Sequence, residues 1–137
     1  MVDRELLKRR LDRLEEYLSI LERLRSYSYE EFVANPERYG SAERFLQLSI
    51  ELLNDLGNHV IADERLGAVE SAADVPRLLA KHRILSDDLA DRWVRMIGFR
   101  NVLVHEYLDI DREIVHENLK ERLGDFRELS QAFAQLL

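Results

Sequence analysis

Leu7, Leu11, Leu14, Leu18 and Leu21 recur at alternating steps of four and three residues, a spacing that an α-helix brings onto one face. No other feature constrains the fold of this chain as strongly. The alternation of two that marks a half-buried strand never lasts more than a few residues. Val102-Leu103-Val104 is the only β-like run, and it is too short to build a sheet. Leu6, Tyr17, Ile20 and Leu24 widen the leucine stripe. The helix it predicts, from about Asp3 to Arg25, therefore faces more than one neighbour.

The helical period continues downstream. Tyr29 to Ala34 reads as one or two turns ended by Asn35-Pro36, since proline disfavours helix in the residue before it. A long helix is expected from Pro36 or Ser41 to about Ala62. Phe45, Leu48, Leu52, Leu56 and His59 lie on one of its faces, and Leu46, Ile50, Leu53 and Val60 on a second. Such a helix is central, or it also meets a second subunit. Asp63 to Ala73 reads as a polar loop. Asp74 is the expected N-cap of a short helix reaching about Arg83, with Pro76 in its first turn. Ser86-Asp87-Asp88 caps another helix carrying Leu89, Trp93, Met96 and Ile97. A last helix is expected from Asp109-Ile110-Asp111 to the C-terminus, weakened locally by Gly124. The fold expected is all-α: an up-and-down bundle of about four main helices with one or two short ones. With 137 residues, the whole span 1–137 is read as a single domain.

The absence of cysteine excludes a disulfide framework, a Cys-ligated zinc site and thiol catalysis. The N-terminus is charged throughout, and no apolar run approaches the roughly 20 residues of a membrane span. A soluble cytoplasmic protein with no membrane partner is the expectation. A formal net charge of −7 argues against non-specific coating of nucleic acid. The charge is uneven, however. Residues 76–104 alone are clearly positive: Arg77, Lys81, Arg83, Arg92, Arg95 and Arg100 stand against Asp87, Asp88 and Asp91. A phosphate contact is to be sought there, although a solvated basic helix face gives the same pattern.

That segment runs into Arg100, Asn101, His105, Glu106 and Tyr107, crowded into eight positions. Arg100 can hold a phosphate through two parallel charge-assisted hydrogen bonds. An imidazole titrates near neutrality, so His105 can take or give a proton. RNA brings its own nucleophile, the 2′-hydroxyl, and neither metal nor cofactor is strictly required. Geometry adds a condition. At about 100° per residue, Arg100 and His105 lie roughly 140° apart on an ideal helix. Either the helix bends or ends between them, or a second chain supplies part of the site. One histidine does not readily serve as base and acid in the same step, and a two-fold dimer would supply two. The plainer alternative is a histidine and a tyrosine packed near a helix end, with Arg100 paired to a carboxylate.

The pattern Arg100-x4-His105-x-Tyr107 resembles the signature of the HEPN superfamily, and the tyrosine two residues after the histidine resembles its HepT branch. Phe99-Arg100-Asn101 with Val104-His105-Glu106-Tyr107 is similar to that family's core. Glu43-Arg44-Phe45-Leu46-Gln47 and Asp55-Leu56-Gly57-Asn58-His59 resemble its central helix. The resemblance implies a HEPN-like helical fold and a metal-independent endoribonuclease that acts on tRNA or mRNA as a homodimer. It further implies the toxin half of a toxin–antitoxin module, paired with an MntA-like nucleotidyltransferase antitoxin. Arg100 and His105 carry over as catalytic, and Asn101 as a supporting polar residue. Tyr107 carries over as a supporting residue and as the site of AMPylation, where added bulk and negative charge oppose RNA binding. A non-catalytic HEPN module that binds a nucleotide or a nucleotidyltransferase is the alternative.

Other candidates are weaker. Asp55, His59 and Asp63 line one helical stripe on which a metal site can be drawn, but two carboxylates and one histidine lack a fourth ligand. A local Asp55–His59 pair, or a contact of the two with the basic segment across the core, is the simpler expectation. His82 and His116 read as surface residues, and Trp93 and Met96 as core or dimer contacts.

Overall fold

The computed structural model describes residues 1–106 and 108–137. Seven helices follow one another among them: α1 (Arg4–Arg25), α2 (Tyr29–Val33), α3 (Pro36–Glu64), α4 (Asp74–Lys81), α5 (Asp87–His105), α6 (Arg112–Glu121) and α7 (Leu123–Ala134). The fold is all-α, as the period predicts.

Local signals set most of the boundaries. The Asp3 carboxylate accepts from the Leu6 N–H and starts α1. Ser28 and Glu31 form a capping box at α2. Asn35 caps α3 with Pro36 in its first turn, and Ser86 caps α5 by accepting from the Leu89 N–H. Arg65, at φ 55°, closes α3 in the left-handed conformation.

Two boundaries differ from expectation. Asp74 does not cap α4. It is the first residue of the helix, and its carboxylate accepts the backbone N–H groups of Glu70 and Ser71 at 3.0 and 3.1 Å. The side chain that looked like a helix cap instead closes the preceding loop. The C-terminal helix is divided at Arg122, so that Gly124 lies in the first turn of α7 rather than in a helix interior. The break redirects the chain: α6 packs against α1, α2 and α3, whereas α7 packs against α1 and α5.

α3 is the central element and touches α1, α2, α4, α5 and α6. Its second face is the deeper one, with Leu46, Ile50, Leu53 and Val60 all buried, while on the first face Leu56 is buried and Phe45, Leu48, Leu52 and His59 are only half-buried. Gly57 permits the close approach of α3 to α4 and α5. A Cβ there would stand 3.1 Å from the Trp93 ring and collide with the Val75 side chain. Trp93 and Met96 both belong to the core, and the Trp93 ring packs edge-on against Phe133. No helix is long and apolar enough to cross a membrane among the described residues.

Candidate active site

Arg100 lies on the inward stripe of α5. Trp93, Met96, Ile97 and Leu103 are buried around that stripe, and a residue three after Ile97 and three before Leu103 points toward the same side. The side chain is thereby aimed at α3. There Nε and Nη2 of Arg100 both donate to Oε1 of Glu51, the former at 2.9 Å. Nη1 donates to the Asn101 side-chain oxygen at 3.3 Å. A guanidinium carries five N–H donors. Three are committed among the described residues, which leaves one on each terminal nitrogen for an incoming ligand.

Glu51 also accepts from Gln47 at 3.2 Å. Burial pushes its carboxyl up, but the hydrogen bonds from Arg100 and Gln47 and the charges of Arg100 and Arg44 outweigh that, and the pKa falls below the ordinary carboxylate value. The carboxylate therefore stays ionised and holds the arginine over a wide pH range. The expectation that Arg100 pairs with a carboxylate is met, and the pairing leaves part of the guanidinium open.

His105 is the last residue of α5 and is exposed, as is Asn101. α5 runs as one helix through both Arg100 and His105. The sequence allowed that the helix ends between them, and it does not. Their separation of roughly 140° around the axis then explains why one is drawn toward the core and the other faces solvent. Tyr107 lies outside the described residues.

Arg100 and Asn101 form one wall of a cleft of about 510 Å³. α3 supplies a second wall through Glu51, Asp55 and Asn58, and residues 69–72 of the α3–α4 loop supply a third. Asn54 fixes this loop. Its Nδ2 donates to the Ala72 carbonyl at 3.3 Å, and its Oδ1 accepts the Trp93 indole N–H at 2.9 Å. Glu51 and Asn54 were not singled out from the sequence. The signal was present: Glu51, Asn54, Asp55 and Asn58 make a polar stripe at helical spacing between the apolar positions Ile50, Leu53, Leu56 and Val60.

The remaining candidates resolve into structural roles. Asp55 and His59 form the local pair expected of them, 3.6 Å apart, and Asp55 also accepts from Arg10 Nε at 2.8 Å. Asp63 turns to the N-terminus instead, where its carboxylate accepts the Asp3 N–H. No group of side chains able to hold a metal assembles among the described residues. His116 is a correction to the reading of a surface residue. It is half-buried between the rings of Tyr29 and Phe32, with Nε2 3.0 Å from the Tyr27 carbonyl, and it ties α6 to α2. His82 is exposed, with Nε2 3.0 Å from the Leu66 carbonyl.

Comparison with known proteins shows what the chain is similar to. The chain is 32% identical over 83 residues to the mRNA nuclease HepT of Shewanella oneidensis, a stretch that covers 61% of this chain and 62% of that protein, somewhat under two thirds of it. It is 30% identical over 106 residues to the tRNA nuclease HepT of Aphanizomenon flos-aquae, covering 77% of this chain and 72% of that one. The solved structure of the tri-AMPylated Shewanella oneidensis HEPN toxin in complex with MNT antitoxin superposes with a TM-score of 0.88. That match covers 98% of this chain and 99% of the toxin at 23% identity, a likeness of fold. A family model described as ribonuclease HepT-like matches residues 11–133, and the chain belongs to that HepT-like family.

Proposed function

We propose that this protein is a metal-independent endoribonuclease, the toxin of a toxin–antitoxin pair, whose catalytic groups are Arg100 and His105. The observation that carries the reading is the state of Arg100: held by Glu51 and Asn101, it keeps two N–H donors available beside an open cleft. Those donors suit two oxygens of one phosphate. The names of the two relatives, an mRNA nuclease and a tRNA nuclease, support RNA as the substrate class.

In the reaction proposed, His105 removes the proton of a ribose 2′-hydroxyl. The 2′-oxygen then attacks the adjacent phosphorus, and the bond from phosphorus to the 5′-oxygen breaks. A second imidazole protonates the leaving oxygen. The products are a 2′,3′-cyclic phosphate and a 5′-hydroxyl. Arg100 stabilises the charge that develops on the non-bridging oxygens. Arg100 and His105 leave α5 in different directions, so a homodimer joining α5 of two copies supplies both groups to one phosphate and provides the second imidazole. The exposed apolar side chains of Val102 and Leu108, on either side of His105, support burial of this region against a second copy.

Tyr107 is the proposed site of modification by a nucleotidyltransferase antitoxin. The AMPylated state and MNT partner of the Shewanella toxin support this. A cytoplasmic location follows from the proposed substrate.

The test is cleavage of tRNA and mRNA by the purified protein in excess chelator, beside His105→Ala. Cyclic phosphate ends that appear with wild type and vanish with the variant are expected. Equal cleavage by both overturns the assignment, and no cleavage by either leaves the non-catalytic HEPN module as the reading. Co-expression with the partner nucleotidyltransferase should add mass in multiples of AMP. That gain should be absent from Tyr107→Phe, and its absence from wild type would contradict the modification.

A further inference from the structure

The cleft beside Arg100 has a composition that phosphate recognition does not account for. Its buried floor is apolar, formed by Ile50 and Ile97, and Val69 of the α3–α4 loop also lines it. Besides Arg100, Asn101 and the α3 residues Glu51, Asn54 and Asp55, its polar lining includes Ser71 and the exposed residues Asn58 and Glu70. The volume of about 510 Å³ falls in the range of about 300–1,000 Å³ usual for small-ligand sites. The loop wall is already in place. Asn54 holds the Ala72 carbonyl, and the Asp74 carboxylate holds the N–H groups of Glu70 and Ser71. A ligand that enters therefore need not order the loop itself.

We propose that this cleft is a nucleobase subsite which selects guanine next to the scissile phosphate. The inference rests on the ribonuclease reading and names a specificity determinant for it. A phosphate is repelled by the carboxylates of Asp55 and Glu70 and attracted by the two open N–H donors of Arg100, so it stays at the Arg100 wall. The attached base is left to enter between the apolar floor and Val69. A flat base covers such a floor, and an unstacked RNA base is read along its hydrogen-bonding edge. Guanine presents two adjacent donors, N1–H and the exocyclic amine, which match the two oxygens of Glu70. Uracil, cytosine and adenine lack that pair of donors. The Asn58 amide can donate to a carbonyl or accept from an amine on the same ligand.

The test joins a binding and a cleavage measurement on the full chain. The four nucleoside 3′-monophosphates are titrated calorimetrically, and cut sites are mapped on a randomised RNA, for wild type, Glu70→Ala and Val69→Trp. Guanosine 3′-monophosphate is expected to bind about tenfold tighter than the other three. Glu70→Ala should erase that preference in both measurements while cleavage continues, and Val69→Trp should weaken all four nucleotides by filling the cleft. Equal affinities for the four, or a cut-site distribution unchanged by Glu70→Ala, overturns the subsite and leaves the ribonuclease standing. Guanine-selective binding that Val69→Trp abolishes, in a protein that cuts no RNA, keeps the subsite and removes the ribonuclease.

Discussion

Two arginines about two turns apart on α5 show how the same side chain is given opposite work. Arg92 is saturated. Its Nη2 pairs with Asp88 at 2.9 Å, and its Nη1 with Asp125 at 2.8 Å and with Glu128. Hydrogen bonds that it donates to Asp125 and Glu128 hold its pKa well above the ordinary arginine value. The three carboxylates more than neutralise its charge, which leaves little attraction for a further anion, and the network joins α5 to α7. Arg100 is held along one edge by a single carboxylate, Glu51, donates once more to Asn101, and keeps two N–H groups open among the described residues, beside a cleft. An arginine encircled by carboxylates serves the fold, whereas one gripped along a single edge is oriented for another anion.

The largest effects should fall on the open site. His105→Ala is expected to lower the rate of RNA cleavage by about 10²–10⁴-fold, the usual share of a positioned acid–base group. Arg100→Ala should cost about 10²–10³-fold, with a melting temperature close to wild type. Arg92→Ala should do the reverse. The network is partly open to water, so its loss should destabilise the fold by about 1–2 kcal/mol, seen as a lower denaturation midpoint. Cleavage per folded molecule should stay within about twofold of wild type. Comparable losses of activity in Arg92→Ala and Arg100→Ala, at matched folded fractions, would erase the distinction between the two arginines.

Smaller effects should come from the group that holds Arg100. Glu51→Gln keeps the shape and removes the charge, so cleavage should fall by about tenfold, mainly through weaker RNA binding. The stability change should be about 0.5–1 kcal/mol after solvent screening. The dependence on pH has a defined sign. Glu51 has a depressed pKa in the folded state, so its contribution is fully present above the ordinary value of 4.5 and is lost as pH falls through the folded value. The stability difference between wild type and Glu51→Gln should be constant at neutral pH and shrink only below about 4.5. A difference that grows on acidification would show that Glu51 does not act as an ionised partner of Arg100.

What the sequence made legible was local. The limits of α1 and α2 and the start of α5 follow from caps and apolar period within a few residues of each boundary, and these needed no tertiary information. The motif of Arg100, Asn101 and His105 was legible for the same reason, because it lies on one stretch of one helix. What was not legible depended on distant residues. Glu51 stands 49 positions from Arg100, and the Tyr27 carbonyl that anchors His116 stands 89 positions away. The division at Arg122 answers to two separate demands, Val115 and Leu119 facing one set of helices and Phe126 and Phe133 another. No local signal near Gly124 could state that. Asp74 misled because a carboxylate that accepts two backbone N–H groups from a loop has the same sequence signature as a helix cap.

The central claim is that Arg100 of one copy and His105 of another act on the same phosphate. Mixed dimers test it most directly. Arg100→Ala and His105→Ala proteins are inactive separately in this account, and are unfolded together and refolded to exchange subunits. Half of the dimers then carry both variants, and each of those retains one site with an intact arginine and an intact histidine. The mixture should cleave faster than either component but below a quarter of the wild-type rate, because each mixed dimer has one shared site and lacks the second imidazole. A mixture as inactive as its two components, with mixed dimers shown to have formed, would contradict a site shared between two copies.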